Sequence, residues 1–227
     1  MASAPGSARQ QVDALLTDND LSLTFSDAVM AEVRAHQANP RIDDPSLEDM
    51  TSLPFVTIDN HDSRDLDQAL QLERRPAGGF VFRYALADAA FYVRPGSALW
   101  GEALARGASY YLPSRCVPML PPALSEDLVS LNPGVDRRAL VFEWQLASGG
   151  RRESVRVCRA RIHSQAKLAY PDVQALHDDP STSDLNGHAF TDSLMVLGVV
   201  GELLMGEAFD RGVVPRERTE LGVRYDP

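Results

Sequence analysis

Apolar positions in residues 1–50 follow the period of an amphipathic helix, in contrast to the rest of the chain. The period runs over residues 12–16 and again over residues 29–33, after Ser26, a residue type that caps helix N-termini. Pro40 ends the second helix, and a polar linker follows. The pattern predicts a small helical module. Two short helices joined by a turn are either a packing appendage or a helix-turn-helix that reads nucleic acid, and the pattern leaves both open.

From residue 51 to residue 227 the pattern is mainly that of β-strands. An apolar run at 55–58 is short enough for a buried strand, and apolar residues alternate over 80–86 after a Pro-Ala-Gly-Gly turn, which predicts a hairpin. Two more strands are predicted at 139–147 and 153–162, on either side of a Ser-Gly-Gly turn.

Two longer helices are predicted among these strands. One begins after Ser97 and ends at Gly107, whose residue type suits a C-terminal cap. The other is capped by Thr191 or Asp192. Five prolines within residues 113–137 exclude both a central strand and a long helix there. The order of elements predicts an α+β fold in which a mixed, largely antiparallel sheet is flanked by helices.

The formal net charge of the chain, −10, argues against a protein that coats nucleic acid with its whole surface, because phosphate neutralisation needs clustered cations. Any contact with RNA must then be local. The arginines that occur in the acidic sequence either line one groove or are scattered, solvated charges. They are Arg115, Arg137, Arg138, Arg151, Arg152, Arg159 and Arg161.

The cysteine content and the apolar stretches indicate a reducing, cytoplasmic setting. Cys116 and Cys158 show neither the spacing of a disulfide framework nor that of a zinc site. The first ten residues lack the apolar segment of a secretory signal. The longest apolar stretch, residues 194–205, is too short to span a bilayer, so no membrane role is expected.

Four aspartates stand within nine residues directly after the apolar run at 55–58, and they are Asp59, Asp62, Asp65 and Asp67. Like charges held together repel one another and raise carboxyl pKa values, so a converged cluster generally needs a cation. Hard carboxylate oxygens suit Mg²⁺ or Mn²⁺. The chemistry indicated is phosphoryl hydrolysis, in which two metal ions about 4 Å apart activate water and stabilise the leaving oxygen.

Three other interpretations compete for the acidic cluster. An EF-hand loop that begins at Asp59 would need Gly and Glu at its sixth and twelfth positions, where this chain has Arg64 and Leu70. An Asp-x-Asp phosphatase nucleophile should end the apolar strand directly, but Ser63 and Arg64 separate it from the strand. An acidic surface loop without function stays open on composition alone.

Several motifs in order along the chain resemble the RNB catalytic domain of ribonuclease II and ribonuclease R. The run Leu-Pro-Phe-Val-Thr-Ile-Asp, followed by Ser-Arg-Asp-Leu-Asp, is similar to the opening of that domain. The resemblance covers residues 53–175 and fades beyond them. The further motifs similar to this family lie at residues 87–95, 106–113, 118–121, 124–125, 130–137 and 166–170.

The resemblance implies metal-dependent degradation of single-stranded RNA from the 3′ end to nucleoside 5′-monophosphates. It assigns Asp59, Asp65 and Asp67 as catalytic residues and metal ligands, with Asp67 indispensable to the chemistry. The fourth family aspartate is Gln68 in this chain. A glutamine carbonyl can ligate Mg²⁺ or Mn²⁺ without charge, so Gln68 completes the expected metal set, and reduced activity or an altered metal requirement is a hypothesis from this departure.

Four residues are expected to contact RNA, and the resemblance assigns two of them. Tyr111 matches the aromatic residue that holds the 3′-terminal nucleotide, and Tyr170 matches a tyrosine of the catalytic channel. Stacking of this kind binds any base and is worth roughly 1 to 3 kcal/mol per base. Arg115 and Lys167 are expected phosphate contacts, with solvated surface charges as the equally open alternative. His61 is not assigned as a general base, because metal-bound water would supply the nucleophile.

The resemblance covers only part of a complete family protein. Residues 51–227 correspond to the N-terminal portion of an RNB domain, so the remaining portion and an RNA-binding barrel are expected partners on the same or another chain. Two rival functions stay open. An RNA-binding protein without catalysis is favoured by Gln68, and an interaction protein that uses the N-terminal helices would need neither metal nor RNA.

Overall fold

The computed structural model describes residues 8–112 and 115–216 of the chain. Its helices and strands form two compact units, which we call the helical unit (residues 8–39 and 90–124) and the sheet unit (residues 40–89 and 125–215). The elements in chain order are α1 (Ala8–Asp18), α2 (Asp27–Ala38), β1 (Glu48–Asp49), β2 (Phe55–Asp59), β3 (Gln68–Arg74), β4 (Phe80–Ala87), α3 (Ala89–Tyr92), α4 (Ala98–Arg106), β5 (Tyr110–Leu112), β6 (Arg115–Val117), a π-helical turn (Ala123–Leu128), β7 (Asp136–Leu146), β8 (Arg152–Ala169), α5 (Tyr170–Asp178) and α6 (Thr191–Asp210).

The sheet unit contains one sheet in the order β1-β8-β2-β3-β4-β7, and β7 also pairs with β8, so the sheet closes on itself. Strand β8 runs parallel to β1 and β2, whereas the pairs β2–β3, β3–β4, β4–β7 and β7–β8 are antiparallel. The expected α+β fold with a mixed, largely antiparallel sheet is confirmed, and so is the predicted hairpin that β4 forms with β3.

Strand β8 is longer than the sequence pattern predicts. Its first part pairs with β7 up to His163, and its second part pairs with β2, where Thr57 faces Lys167 and Asp59 faces Ala169. The predicted strand ends at residue 162 because the polar residues beyond it interrupt the apolar alternation. One strand therefore joins the long hairpin to the strand that ends at the acidic cluster.

Small apolar side chains fill one face of the closed sheet, and helices cover part of the other face. Ala69, Ala85, Ala139, Ala160 and Phe55 are among the fully buried residues of the first core. On the opposite face, residues of α5 and α6 pack against β2, β3, β4, β7 and β8. Helix α5 follows β8 directly along the chain, so its start lies beside the end of that strand.

The N-cap of helix α6 lies one residue before the first of the two expected caps. Its N-cap is Phe190, and Thr191 is its first residue. The Thr191 hydroxyl instead accepts a hydrogen bond from the His188 N–H at 3.0 Å and donates to the Leu185 carbonyl at 2.5 Å. The expected cap at Thr191 or Asp192 is thus wrong, because the threonine side chain stabilises the preceding loop.

None of the helices in the described part of the chain combines the length and the hydropathy that crossing a membrane requires.

The helical unit shows how the N-terminal helices are anchored. Ser26 and Ser97 cap α2 and α4 as predicted, and Gly107 follows α4 with a positive φ of 72°. The Glu32 carboxylate of α2 accepts hydrogen bonds from the backbone N–H groups of Ala98 and Leu99, at 2.8 and 2.9 Å. Helices α1 and α2 therefore belong to one compact unit with residues 90–124, whereas the sequence pattern divides the chain at residue 50.

Candidate metal centre

A small cavity of about 80 Å³ lies where β2 ends and β3 begins. Two of the expected metal-binding aspartates, the glutamine at the fourth position and one expected RNA contact meet there. Its lining residues are Thr57, Ile58, Asp59, Leu66, Asp67, Gln68 and Tyr170. The strand ends therefore bring Asp59 and Asp67 together, although they lie eight positions apart along the chain.

The segment before β3 is fixed by a buried serine from outside the acidic cluster. The hydroxyl of Ser130, which is 1% exposed, donates to the Arg64 carbonyl at 2.8 Å and accepts from the Leu66 N–H at 2.9 Å. The Leu131 N–H donates to the Leu66 carbonyl at 2.8 Å. Both polar backbone groups that flank Asp65 are thus satisfied by one side chain. Sequence reasoning did not assign Ser130, because its partner lies 64 residues away along the chain.

Lys167 fixes the other end of the acidic loop. This lysine stands opposite Thr57 in the β2–β8 pair, and its Nζ donates to the carbonyls of His61 and Ser63 at 2.8 and 2.5 Å. The structure therefore gives Lys167 a role in holding the loop that carries the aspartates. Its expected contact with RNA phosphate stays a prediction.

Two of the expected catalytic carboxylates act electrostatically on the third, Asp67. Partial burial raises the pKa of Asp67 above its ordinary value of 3.8, and the negative charges of Asp65 and Asp59 raise that pKa further. Hydrogen bonds from the Asp67 backbone and from the Gln68 side chain lower it in part. The ionised form of Asp67 is therefore destabilised in this structure, and a bound cation would relieve that destabilisation.

Tyr84 reaches the same site from β4. Its hydroxyl donates a hydrogen bond to Oε1 of Gln68. The pKa of Tyr84 is raised, first by burial and then by the nearby Asp67 and Tyr170. Sequence reasoning did not assign Tyr84, because it lies in an alternating strand where an aromatic side chain is ordinarily a packing residue.

The oxygen atoms that line the cavity fit a hard divalent cation. Besides the carboxylates of Asp59 and Asp67, the Thr57 hydroxyl is buried and has no hydrogen-bond partner among the described residues. A buried hydroxyl without a partner is rare, and a cation or its bound water would satisfy it. As the side chains stand, no group of three or more His, Cys, Asp or Glu residues within the described ranges could hold a metal ion, and Asp65 does not line the cavity.

The remaining expected RNA contacts are distributed over both compact units. Tyr170, the first residue of α5, lines the cavity and is 57% exposed, so its ring is available for stacking. Tyr111 lies on β5 of the helical unit and is 74% exposed. Arg115 begins β6 of that unit, where its guanidinium pairs with Asp13 at 2.7 Å. The roles of these residues toward RNA stay predictions.

Two aspartates outside the acidic cluster have contacts within the sheet unit. Asp88 is buried and forms ion pairs with Arg138 at 3.7 Å and Arg159 at 3.3 Å. Asp136 contacts Nδ1 of His163 at 2.8 Å. Neither aspartate lines the cavity, so both support the sheet.

Comparison with known proteins identifies relatives over most of the chain. The family model described as RNB domain matches residues 47–226. Ribonuclease R of Escherichia coli (strain K12) is 39% identical over 163 residues, which are 71% of this chain and 20% of that protein. Ribonuclease R of Vibrio parahaemolyticus is 46% identical over 128 residues, 56% of this chain and 15% of that protein. The chain thus spans about a fifth or less of these relatives.

Solved structures give the same picture. Mycoplasma genitalium RNase R in complex with ribose-methylated single-stranded RNA superposes with a TM-score of 0.85 at 30% identity, covering 95% of this chain and 34% of that chain. Yeast Ssd1, described as a pseudonuclease, superposes with a TM-score of 0.59 at 18% identity, covering 72% of this chain and 20% of that chain. The likeness to Ssd1 shows the fold alone.

Proposed function

Since the chain belongs to the RNB domain family, we propose that it takes part in the stepwise hydrolysis of single-stranded RNA from the 3′ end, in the manner of ribonuclease II, releasing nucleoside 5′-monophosphates. The observation that carries this proposal is the cavity at the ends of β2 and β3. It combines the carboxylates of Asp59 and Asp67 with the exposed ring of Tyr170. Acidic oxygens beside an aromatic ring suit a metal-assisted site that takes a nucleotide.

The residues present fit Mg²⁺, with Mn²⁺ as an alternative. Asp59 and Asp67 would hold the cation directly, and Asp65 would join them once the charge repulsion is neutralised. The chemistry that a bound divalent cation supplies is activation of water and neutralisation of charge on the phosphate oxygens. Ser130 and Lys167 keep the loop in place through its backbone, so that the carboxylates stay at the strand ends.

The proposed substrate contacts use stacking and charge. Tyr170 would stack on a base beside the cavity, and Tyr111 would stack on the 3′-terminal nucleotide. Lys167 and Arg115 would contact phosphates by exchanging a protein partner for RNA. Structures of Mycoplasma genitalium RNase R in complex with single-stranded and with double-stranded RNA support RNA as the substrate. We place the protein in the cytoplasm, with the remainder of an RNB domain and an RNA-binding barrel as partners.

A second candidate function is binding of RNA without hydrolysis. Gln68 favours it, because this residue replaces a carboxylate at the expected metal site and its oxygen already accepts a hydrogen bond from Tyr84. Such a protein would retain the stacking residues and would lose only the chemistry. The two functions differ in one observable, the shortening of bound RNA.

Digestion of 5′-labelled single-stranded RNA in the presence of Mg²⁺ tests the proposal. We expect a ladder that shortens from the 3′ end, and we expect Asp67→Asn to slow it by at least about a hundred-fold, because a direct metal ligand is lost. Asp62→Asn is the matched control, since Asp62 lies on the same loop outside the cavity. RNA that binds but does not shorten would establish the second candidate, and equal rates in wild type and Asp67→Asn would contradict the assigned site.

A further inference from the structure

We infer that Arg137 is a positioning residue of the candidate metal centre, and that it acts by holding Ser130 against the acidic loop (residues 59–67). This inference rests on the proposed function, because it concerns the same site. It goes beyond that function by giving an arginine outside the cavity a part in the binding of the cation.

The closed sheet gives Arg137 a fixed base. This arginine is the second residue of β7, and in the long β7–β8 ladder it stands opposite the fully buried Ile162. Its side chain is only 14% exposed. The sequence offered Arg137 as one of the cations that could line an RNA groove, but a side chain so little exposed is better placed to bind protein groups.

The guanidinium of Arg137 reaches the segment 127–130, which precedes β7 along the chain. Its Nε donates to the carbonyls of Ser130 and Asp127 at 3.1 and 3.2 Å. Its Nη2 donates to Oδ1 of Asp127 at 3.1 Å, and its Nη1 to the carbonyl of Asp136 at 3.2 Å. Because a guanidinium presents its N–H groups in one rigid plane, this set of acceptors fixes the Ser130 carbonyl relative to the sheet.

The position of the Ser130 backbone matters because its hydroxyl has two acceptors within reach. A serine hydroxyl has one hydrogen to donate. The Arg64 carbonyl lies at 2.8 Å and Oδ1 of Asn132 at 3.3 Å. Only the contact with Arg64 stabilises the acidic loop, together with the hydrogen bond that the same hydroxyl accepts from the Leu66 N–H. By holding the Ser130 carbonyl, Arg137 keeps the hydroxyl at the loop.

Leu66 connects this contact with the metal centre. Leu66 is 2% exposed, lines the cavity and directly precedes Asp67 along the chain. Its N–H is bonded to the Ser130 hydroxyl, and its carbonyl accepts from the Leu131 N–H at 2.8 Å. A displacement of Ser130 would therefore move the backbone that places Asp67 in the cavity. The contacts run from the sheet through Arg137 and Ser130 to the proposed cation ligand.

Titration of the chain with Mn²⁺, followed by electron paramagnetic resonance, measures the affinity of the site without any measurement of activity. We expect Arg137→Ala to bind Mn²⁺ about three- to ten-fold more weakly than wild type, because the loop loses a hydrogen-bonded support. Arg75→Ala is the matched control. Arg75 pairs with Glu153 at 2.6 Å but follows the end of β3 that lies away from the cavity, so its loss should leave Mn²⁺ affinity unchanged.

Amide hydrogen exchange locates the effect of Arg137→Ala within the fold. The Leu66 N–H should exchange at least about ten-fold faster than in wild type, because its acceptor is no longer held in place. The amides of β4 that pair with β3 should keep their rates within about two-fold. A merely structural arginine would instead change the rates of both groups together, or of neither.

A Ser130→Ala background tests the route. If Arg137 acts through the Ser130 hydroxyl, Arg137→Ala should weaken Mn²⁺ binding by less than about two-fold in that background, because the contact it supports is already gone. Arg137→Lys is a further variant. It retains the charge, but one ammonium group cannot reproduce the planar set of contacts, so its loss of Mn²⁺ affinity should lie between those of wild type and Arg137→Ala. Circular dichroism establishes which variants are folded, and Arg137→Lys decides if Arg137→Ala is not.

The outcomes separate this inference from the proposed function. Wild-type Mn²⁺ affinity in a folded Arg137 variant would overturn the inference, as would an unchanged exchange rate of the Leu66 N–H. An equal effect of Arg137→Ala with and without the Ser130 hydroxyl would show that the arginine acts by another route, and would overturn it as well. In all these cases the metal site itself stands. Failure of the wild-type chain to bind any Mn²⁺ would overturn the proposed function together with the inference.

Discussion

Asp67 is central to the proposed site, yet its environment is unfavourable for the ionised carboxylate. Partial burial and the charges of Asp65 and Asp59 raise its pKa, so the folded protein binds a proton there more tightly than the unfolded chain does. Such a group contributes stability below its unfolded pKa, near 3.8, and that stability is lost as the pH rises through the raised folded pKa. At neutral pH without cations, ionised Asp67 therefore destabilises the fold.

Asp67→Asn should consequently be more stable than wild type at neutral pH in the absence of divalent cations, by up to about 1 kcal/mol in the free energy of unfolding. The gain should shrink in acid, where Asp67 of the wild type is protonated and resembles asparagine. Urea denaturation at both pH values measures it, with Asp62→Asn as the control for loop charge. A gain that persists in acid would show that charge repulsion is not its cause.

Ser130 carries a second prediction at the scale of one residue. Its hydroxyl satisfies the Leu66 N–H and the Arg64 carbonyl in a buried position, so Ser130→Ala leaves both groups without that partner. We expect a loss of about 1 to 3 kcal/mol in the free energy of unfolding, together with weaker Mn²⁺ binding. Ser148→Ala, in an exposed turn, should change neither. Retained Mn²⁺ affinity in Ser130→Ala would mean that the loop keeps its shape without this clamp.

The sequence offers candidate site residues from one acidic segment, of which Asp59 and Asp67 line the cavity, and it gives no signal for residues that approach from elsewhere. Asp59, Asp65 and Asp67 were assigned because they lie in one acidic segment that resembles a known family. Ser130 and Tyr84 were not, because the strand register and long-range hydrogen bonds that bring them to this segment leave no local pattern. The hydrogen bonds of Ser130 and Tyr84 to this segment therefore required the structure.

Among the elements, the strands and helices with strong local signals were predicted well. Ser26, Ser97 and Gly107 mark helix ends where the structure has them, since capping depends on residues close in sequence. The second part of β8 was missed, and so was helix α5, which follows it directly. Both begin in the segment around Lys167. There the apolar alternation that predicts a strand is interrupted by polar residues, one of which, Lys167, binds the acidic loop.

The junction of β4 and β7 contains a buried ion pair that yields a prediction at this scale. Asp88 directly follows β4, and Arg138 lies in β7, where its guanidinium also donates to the Arg41 carbonyl at 2.7 Å. Asp88→Ala should lower the free energy of unfolding by up to about 3 kcal/mol, because the buried Arg138 would keep only its ion pair with Asp44, at 3.6 Å. Chemical denaturation measures this loss.

Arg159→Ala is the matched comparison, since it removes the exposed partner of the same carboxylate. Its side chain is 57% exposed, so we expect a loss below about 1 kcal/mol. The double variant Asp88→Leu with Arg138→Met should be more stable than the sum of its single changes predicts, because no lone buried charge remains. Equal losses from Asp88→Ala and Arg159→Ala would contradict the importance of burial.

Across the whole molecule, whose net charge is −10, many of the charged side chains form ion pairs. Arginines of the sheet form ion pairs with Glu and Asp side chains, as in the contacts of Arg83 with Glu143 at 2.6 Å and of Arg161 with Asp49 at 2.6 Å. Several arginines that the sequence offered as an RNA groove therefore have protein partners. Composition alone could not distinguish a groove from a paired surface, because both contain the same residues.

One amine ties the acidic loop to the closed sheet, and Lys167 is the only lysine in the sequence. Amine-acylating reagents spare guanidinium groups, so besides the terminal amine they have a single side chain to modify. Lys167 can react only after its nitrogen has released the carbonyls of His61 and Ser63. The rate of acylation therefore reports how often this loop opens, with RNA present or absent.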